Sequence, residues 1–130
     1  MVIDTSALIA LLLGEKEAKV IAAAIANDNR RLISAFSFLE TCIVIEAKKG
    51  ESGGREADLL IHRIQAEIIS MDSEQAEVAR RAWRRFGKGR HAAGLNIGDC
   101  CVYALAKISG EPLLFKGEDF SKSDILKVSY

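Results

Sequence analysis

The chain has 130 residues, with 18 basic and 18 acidic side chains and a formal net charge of zero. That balance excludes a protein that holds nucleic acid by its overall field, so any polyanion must meet a local patch. A hydrophobic fraction of 49% and a charged fraction of 28% exclude a disordered chain and fit one ordinary domain over residues 1–130.

The first residues organise the rest. Met1 to Ile3 is a short apolar run ending on Asp4, which predicts a buried strand delivering a carboxylate to the carboxyl edge of a sheet. Thr5 or Ser6 can cap the helix that follows, although Asp4 is itself a favoured cap residue. That helix is expected over about 6–13, stopped by Gly14. The apolar stretch 7–13 is too short to span a membrane, and no basic segment precedes it, so neither an anchor nor a signal peptide is expected. Residues 15–26 predict a second helix and 31–35 a strand. Ser37 is the expected cap of a third helix over 38–49, closed by Gly50. Gly53 and Gly54 are expected to break the chain again before a fourth helix over 55–66. A strand at 67–71 precedes a fifth helix, from Ser73 to about Gly87. Its early glutamates and late arginines suit the helix dipole. A basic, glycine-rich loop over 88–98 leads to a sixth helix over 99–109. A strand at 112–115, a loop at 116–123 and a last strand at 125–128 complete the order. Strands alternating with helices predict an α/β fold with a mostly parallel sheet flanked by helices.

Four carboxylates stand out. Asp4 ends the first strand. Glu40 shares a helix face with Ile43, Val44 and Ala47, where a buried charge needs a partner or a metal. Asp99 repeats that pattern with Val102, Tyr103 and Ala106. It also falls in a first helical turn, where a cap or dipole partner is expected, and Asn96 is an equal candidate for the cap. Asp119 follows the late strand, with Asp124 a weaker candidate beyond it. Like charges gathered at one sheet edge raise one another's pKa values, and a hard divalent cation such as Mg²⁺ resolves the conflict with oxygen ligands. Such a site can lower the pKa of water and stabilise a developing phosphorane. The three cysteines, Cys42, Cys100 and Cys101, form neither a disulfide framework nor a CxxC site and are expected to be reduced thiols of a cytoplasmic protein. Arg84, Arg85, Lys88, Arg90 and His91 belong to a dense basic run, which beside an acidic metal site suits a polyanionic substrate. With Lys116 they are the candidate contacts to such a substrate. Trp83 and Phe86, within the run, are expected as core or dimer contacts.

Together Asp4-Thr5-Ser6-Ala7-Leu8, Glu40 in its apolar helix, Leu95-Asn96-Ile97-Gly98-Asp99-Cys100 and Leu114-Phe115-Lys116-Gly117-Glu118-Asp119-Phe120 resemble the PIN domains of VapC toxins, in order and over nearly the whole chain. The resemblance implies a Mg²⁺- or Mn²⁺-dependent endoribonuclease from a type II toxin–antitoxin pair. It assigns Asp4, Glu40, Asp99 and Asp119 as the metal-holding acids, with Ser6 and Asn96 in support. It also implies in-line cleavage of an RNA phosphodiester to a 5′-phosphate and a 3′-hydroxyl. A homodimer, a VapB-type antitoxin partner and a tRNA or ribosomal RNA target are implied as well. Two other readings compete. A phosphoacceptor receiver domain would use Asp72 and Lys116, but leaves Glu40 and Asp99 unexplained. A non-catalytic RNA- or protein-binding module would leave the acids without chemistry. A haloacid-dehalogenase-type phosphatase is weaker, since Ser6 stands where its second aspartate belongs.

Overall fold

The computed structural model describes residues 1–130. Four short strands, β1 (Val2–Ile3), β2 (Leu32–Ser34), β3 (Glu67–Ile69) and β4 (Leu113–Leu114), form an all-parallel sheet in the order β3-β2-β1-β4. Six helices cover it: α1 (Thr5–Leu12), α2 (Ala18–Ala26), α3 (Ala35–Lys49), α4 (Glu51–Arg63), α5 (Ser73–Phe86) and α6 (Ile97–Ser109). None is long and apolar enough to cross a membrane. The order overturns the receiver reading. In the flavodoxin-like order of receivers the third strand lies beside the first, whereas here β1 sits between β2 and β4, and β3 is at the edge.

β1, β4 and the first two residues of β2 are apolar because both faces of the sheet are covered there, whereas the edge strand β3 opens on Glu67 and is largely exposed. Val2 pairs with Leu32 and with Leu113, and all three face a core built with Ala79, Phe86 and the inner side of α6. Their neighbours Ile3, Ile33 and Leu114 face the opposite core, with Ala7, Leu8, Ile21 and Ile61. Successive strand side chains point to opposite faces, so each dipeptide supplies one residue to each core.

Several boundaries differ from the sequence reading, each for a packing reason. Gly53 and Gly54 do not break the chain; both are buried inside α4. A Cβ on Gly53 would lie 2.7 Å from the Ile45 carbonyl oxygen of α3, so glycine lets the two helices approach closely. Ser34, not Ser37, caps α3: its hydroxyl accepts the Phe36 N–H at 3.2 Å, so strand passes into helix with no loop. Residues 125–128 make no full strand. Leu113 N–H donates to the Leu126 carbonyl and the Val128 N–H to the Leu113 carbonyl, a single bridge along the outer edge of β4. The second helix begins at Ala18 rather than residue 15, which leaves Glu15 and Glu17 in the turn before it.

Candidate active site

At the carboxyl edge of the sheet β1 and β2 run directly into helices, and the cap is the residue after β1, Asp4, in one case and the last residue of β2, Ser34, in the other. Asp4 caps α1, its Oδ2 accepting the Ser6 N–H at 2.9 Å and the Ser6 hydroxyl at 2.6 Å. The Ser6 hydroxyl in turn accepts the Lys116 N–H at 2.9 Å, so the chain leaving β4 is tied to Asp4 through one oxygen. The capping reading of Asp4 is therefore correct, and the same carboxylate also lines an acidic pocket. Asp99 and Asn96 form a capping box at the start of α6: Asp99 N–H donates to Asn96 Oδ1 at 2.9 Å, and Asn96 N–H donates to Asp99 Oδ2 at 3.0 Å. One oxygen of Asp99 thus fixes the side chain, and Oδ1 is left over.

Glu40 is half-buried, but not by the apolar face predicted for it. Leu39 and Ile43 beside it are 57% and 60% exposed. What covers Glu40 is the first turn of α6, where a Cβ on Gly98 would meet its Oε2 at 3.2 Å and the Phe36 ring at 3.1 Å. Only a residue without a side chain lets α6 close to that distance. The result is a pocket of about 390 Å³ lined by Asp4, Thr5, Ser6, Glu15, Glu40 and Asp99, with Lys116 at its side. Asp119 is exposed on the loop after β4.

The electrostatics show that the acids share a field. Burial pushes the Asp99 carboxyl up to about 6, with the Asn96 N–H opposing and the charges of Asp4, Asp119 and Glu40 adding to the rise. Burial also raises the Asp4 carboxyl, against the two hydrogen bonds from Ser6 and with the charge of Glu40. Asp119 therefore acts on Asp99 from the rim although it does not line the pocket. The cation in the pocket wall is committed elsewhere, since Lys116 is ion-paired with Glu15 and lies 3.5 Å from Glu17. Glu15 went unnoticed in the sequence because nothing periodic marks it; Gly14, at φ +62°, turns the chain so that it reaches the pocket.

These residues fit a divalent cation of the Mg²⁺ kind. The donors are oxygens, and the negative charge among Asp4, Glu40 and Asp99 has no free counter-ion. No three His, Cys, Asp or Glu side chains stand close enough to ligate one ion together. That spacing suits a cation held by one or two carboxylates and its own waters.

The other candidates lie apart from this pocket. Asp124 accepts the Tyr103 hydroxyl at 2.7 Å and pairs with Lys107 at 3.1 Å and Arg85 at 3.2 Å. It ties the C-terminal segment to α5 and α6. The Arg90 guanidinium lies 4.7 Å from the Trp83 ring centroid, the His91 ring stands edge-on to Phe86 at 5.3 Å, and Arg84 is exposed. Of the two residues expected as core or dimer contacts, Phe86 is core, and Trp83, 43% exposed, is not core. Cys42, Cys100 and Cys101 are free thiols.

A parallel sheet of this order, carrying an oxygen-lined acidic pocket at its carboxyl edge, defines an α/β domain whose pocket chemistry fits a hard cation. The chain belongs to the PIN-domain family, which matches residues 1–126. A protein named Ribonuclease VapC from Mycolicibacterium smegmatis is 56% identical over 128 residues, covering 98% of this chain and 99% of that one. Its place is thus in the VapC branch of the family. Two solved structures share the fold. One is Mycobacterium tuberculosis VapC20, described as a sarcin–ricin loop cleaving toxin, with TM-score 0.80 and 17% identity, covering 99% of this chain and 98% of that one. The other is VapBC2 from Rickettsia felis bound to a promoter DNA fragment, with TM-score 0.78 and 14% identity, covering 99% and 97%.

Proposed function

We propose that this chain is the toxin of a VapBC-type pair and a metal-dependent endoribonuclease whose site is the pocket of Asp4, Glu40 and Asp99, with Asp119 at its rim. The observation that carries this is the convergence of three carboxylates, Asp4, Glu40 and Asp119, whose charges reach a fourth, Asp99, together with the engagement of Lys116 by Glu15 and Glu17. Uncompensated charge of this kind costs stability, so it is expected where a cation will be held.

The chain's own residues hold the geometry. Ser6 orients Asp4, Asn96 orients Asp99, and Gly98 with Phe36 confines Glu40. Mg²⁺ or Mn²⁺ held by these acids would supply activation of water and neutralisation of the charge that develops on phosphorus. Water adds to the phosphorus of an RNA phosphodiester, the bond to the 3′ oxygen breaks, and the leaving oxygen takes a proton. The products are a 5′-phosphate and a 3′-hydroxyl. In the metal-free pocket Asp99 takes a proton below about pH 6, so cation binding competes with protonation on the acid side.

The wider assignment follows the family. The whole of residues 1–130 is taken as one PIN domain, acting in the cytoplasm as a homodimer, inhibited by a VapB-type antitoxin and directed at a structured RNA such as tRNA or ribosomal RNA. The solved VapBC2 assembly supports the antitoxin, and the mycobacterial VapC20 supports a structured RNA as target.

Induced expression of the native chain and of Asp4→Asn, with RNA 5′ ends mapped in both, tests the proposal. Growth arrest with new 5′-phosphate ends, both lost in the variant, is the expected result. Arrest by both proteins without new ends would favour the non-catalytic binding module.

A further inference from the structure

We propose that Glu15 and Glu17 clamp Lys116 against the pocket wall, so that its ammonium does not take the place of a divalent cation among Asp4, Glu40 and Asp99. The inference rests on the metal-dependent reading above and adds two positioning residues to it. Lys116 enters the pocket on a fixed backbone. Its N–H donates to the Ser6 hydroxyl at 2.9 Å, and the carbonyl just before it, that of Phe115, accepts the Tyr130 hydroxyl at 2.8 Å. Its side chain lines the same pocket as the three acids and Glu15, and is the sole cation in that lining. There the ammonium pairs with Glu15 and lies 3.5 Å from Glu17. The hydrogen bond to Glu15 holds the ammonium above its ordinary value, so Lys116 carries its charge at neutral pH.

That charge has two places to go. A lysine carries it on a flexible stem, and the backbone ties fix only where the stem starts. Left free, it is drawn to Asp4, Glu40 and Asp99, where it cancels charge that a divalent ion needs. The turn between α1 and α2 prevents this. Gly14, at φ +62°, swings Glu15 to the pocket edge, and Glu17 follows just before α2. Glu17 Oε2 is buried without a hydrogen bond, and its ion partner is Lys116. A buried carboxylate oxygen is costly unless a charge faces it, so the position of Glu17 is explained by the lysine. Two negative charges on one positive charge also leave the clamp itself anionic, and the pocket keeps its field.

A mutant cycle of Glu15→Gln/Glu17→Gln with Lys116→Met, read by calorimetric titration of Mn²⁺, tests the clamp. The clamp-less variant should bind Mn²⁺ about ten-fold more weakly or worse. Lys116→Met in that background should recover most of the loss, while in the native chain it should change affinity by no more than about three-fold. Weak binding that Lys116→Met does not recover means that the glutamates hold the ion themselves, and overturns the proposal. So do unchanged affinity in the clamp-less variant and equal effects of Lys116→Met in both backgrounds, the mark of fixed charges. Carbon–proton NMR of the Lys116 side chain, its signal identified by loss in Lys116→Met, gives a reading without metal. Asp4→Asn should shift that signal in the clamp-less chain and hardly in the native one; equal shifts overturn the clamp. A native chain that shows this pattern yet binds no Mn²⁺ strikes the metal-site reading alone. Mn²⁺ binding without the pattern strikes the clamp alone.

Discussion

Asp99→Asn should make the metal-free protein more stable at neutral pH, although it removes a proposed metal ligand. The Asp99 carboxyl stands at about 6 against an ordinary 3.8, first because burial disfavours its charged form and then because Asp4, Asp119 and Glu40 add their charges. A folded pKa above the unfolded one means that the folded chain binds more protons between the two values. Stability therefore falls as pH rises from about 4 to about 6, and stays reduced above that. The full difference corresponds to about 3 kcal/mol, and water reaching the open pocket trims it to roughly 1–3 kcal/mol. Asparagine removes the charge and keeps the cap, because its side-chain oxygen can still accept the Asn96 N–H. For a chain of this size each kcal/mol is about 3–5 °C in Tm, so the variant should melt roughly 3–15 °C higher at pH 7. Thermal unfolding of both proteins in EDTA at pH 4 and pH 7 measures this. The gap should be near zero at the lower pH and open fully at the higher. Saturating Mg²⁺ should then raise the native chain toward or past the variant, because only a cation bound to the folded state stabilises it. A variant no more stable than the native chain at pH 7, or a gap independent of pH, would refute the reasoning.

Three further outcomes are expected. Ser6→Ala removes the hydroxyl that donates to Asp4 and accepts from Lys116, so divalent-ion affinity in calorimetric titration should fall about ten-fold or more. Gly53→Ala places a methyl group against the Ile45 carbonyl and should lower unfolding stability by about 1–3 kcal/mol in urea, with ion binding unaltered. Asp124→Ala unlinks Tyr103, Lys107 and Arg85 and should cost about 1–2 kcal/mol with metal affinity unchanged. Burial alone would raise the Asp124 carboxyl, but the Tyr103 and Lys107 hydrogen bonds and neighbouring positive charge hold it below its ordinary value. Its contribution should therefore disappear as pH falls through that lowered value, and denaturant titrations at several acidic pH values check the sign.

Much of the fold was legible locally. The apolar dipeptides of the four strands, the glycines closing α1, α3 and α6, and the alternation of strand with helix all survive in the structure, because they depend on short-range pattern and on burial of both sheet faces. The misreadings are positions where a distant segment changes the meaning of a local signal. Gly53 and Gly54 look like a break, yet α3 approaches so closely that only glycine fits inside α4. Residues 125–128 look like a strand, yet only Leu113 offers them a partner. Glu40 stood out as an acid on an apolar helix face, but Leu39 and Ile43 beside it are exposed. Its cover comes from α6 rather than from its own face, and no spacing within the helix reveals that.

The sequence by itself determined which acids were candidates and the order in which the elements carry them, since a carboxylate after an apolar strand or inside an apolar helix stands out wherever it lies. It also determined the parallel α/β class. Tertiary structure decided which acids act on one another. Asp4, Glu40 and Asp99 line a single pocket and Asp119 acts from its rim. Asp124, five residues beyond Asp119 and equally acidic, is spent on Tyr103, Lys107 and Arg85. Tertiary structure also brought Glu15 to the pocket, neutralised Lys116 and left Trp83 exposed. Charge interactions depend on distance and burial through space, and neither can be read from separation along the chain.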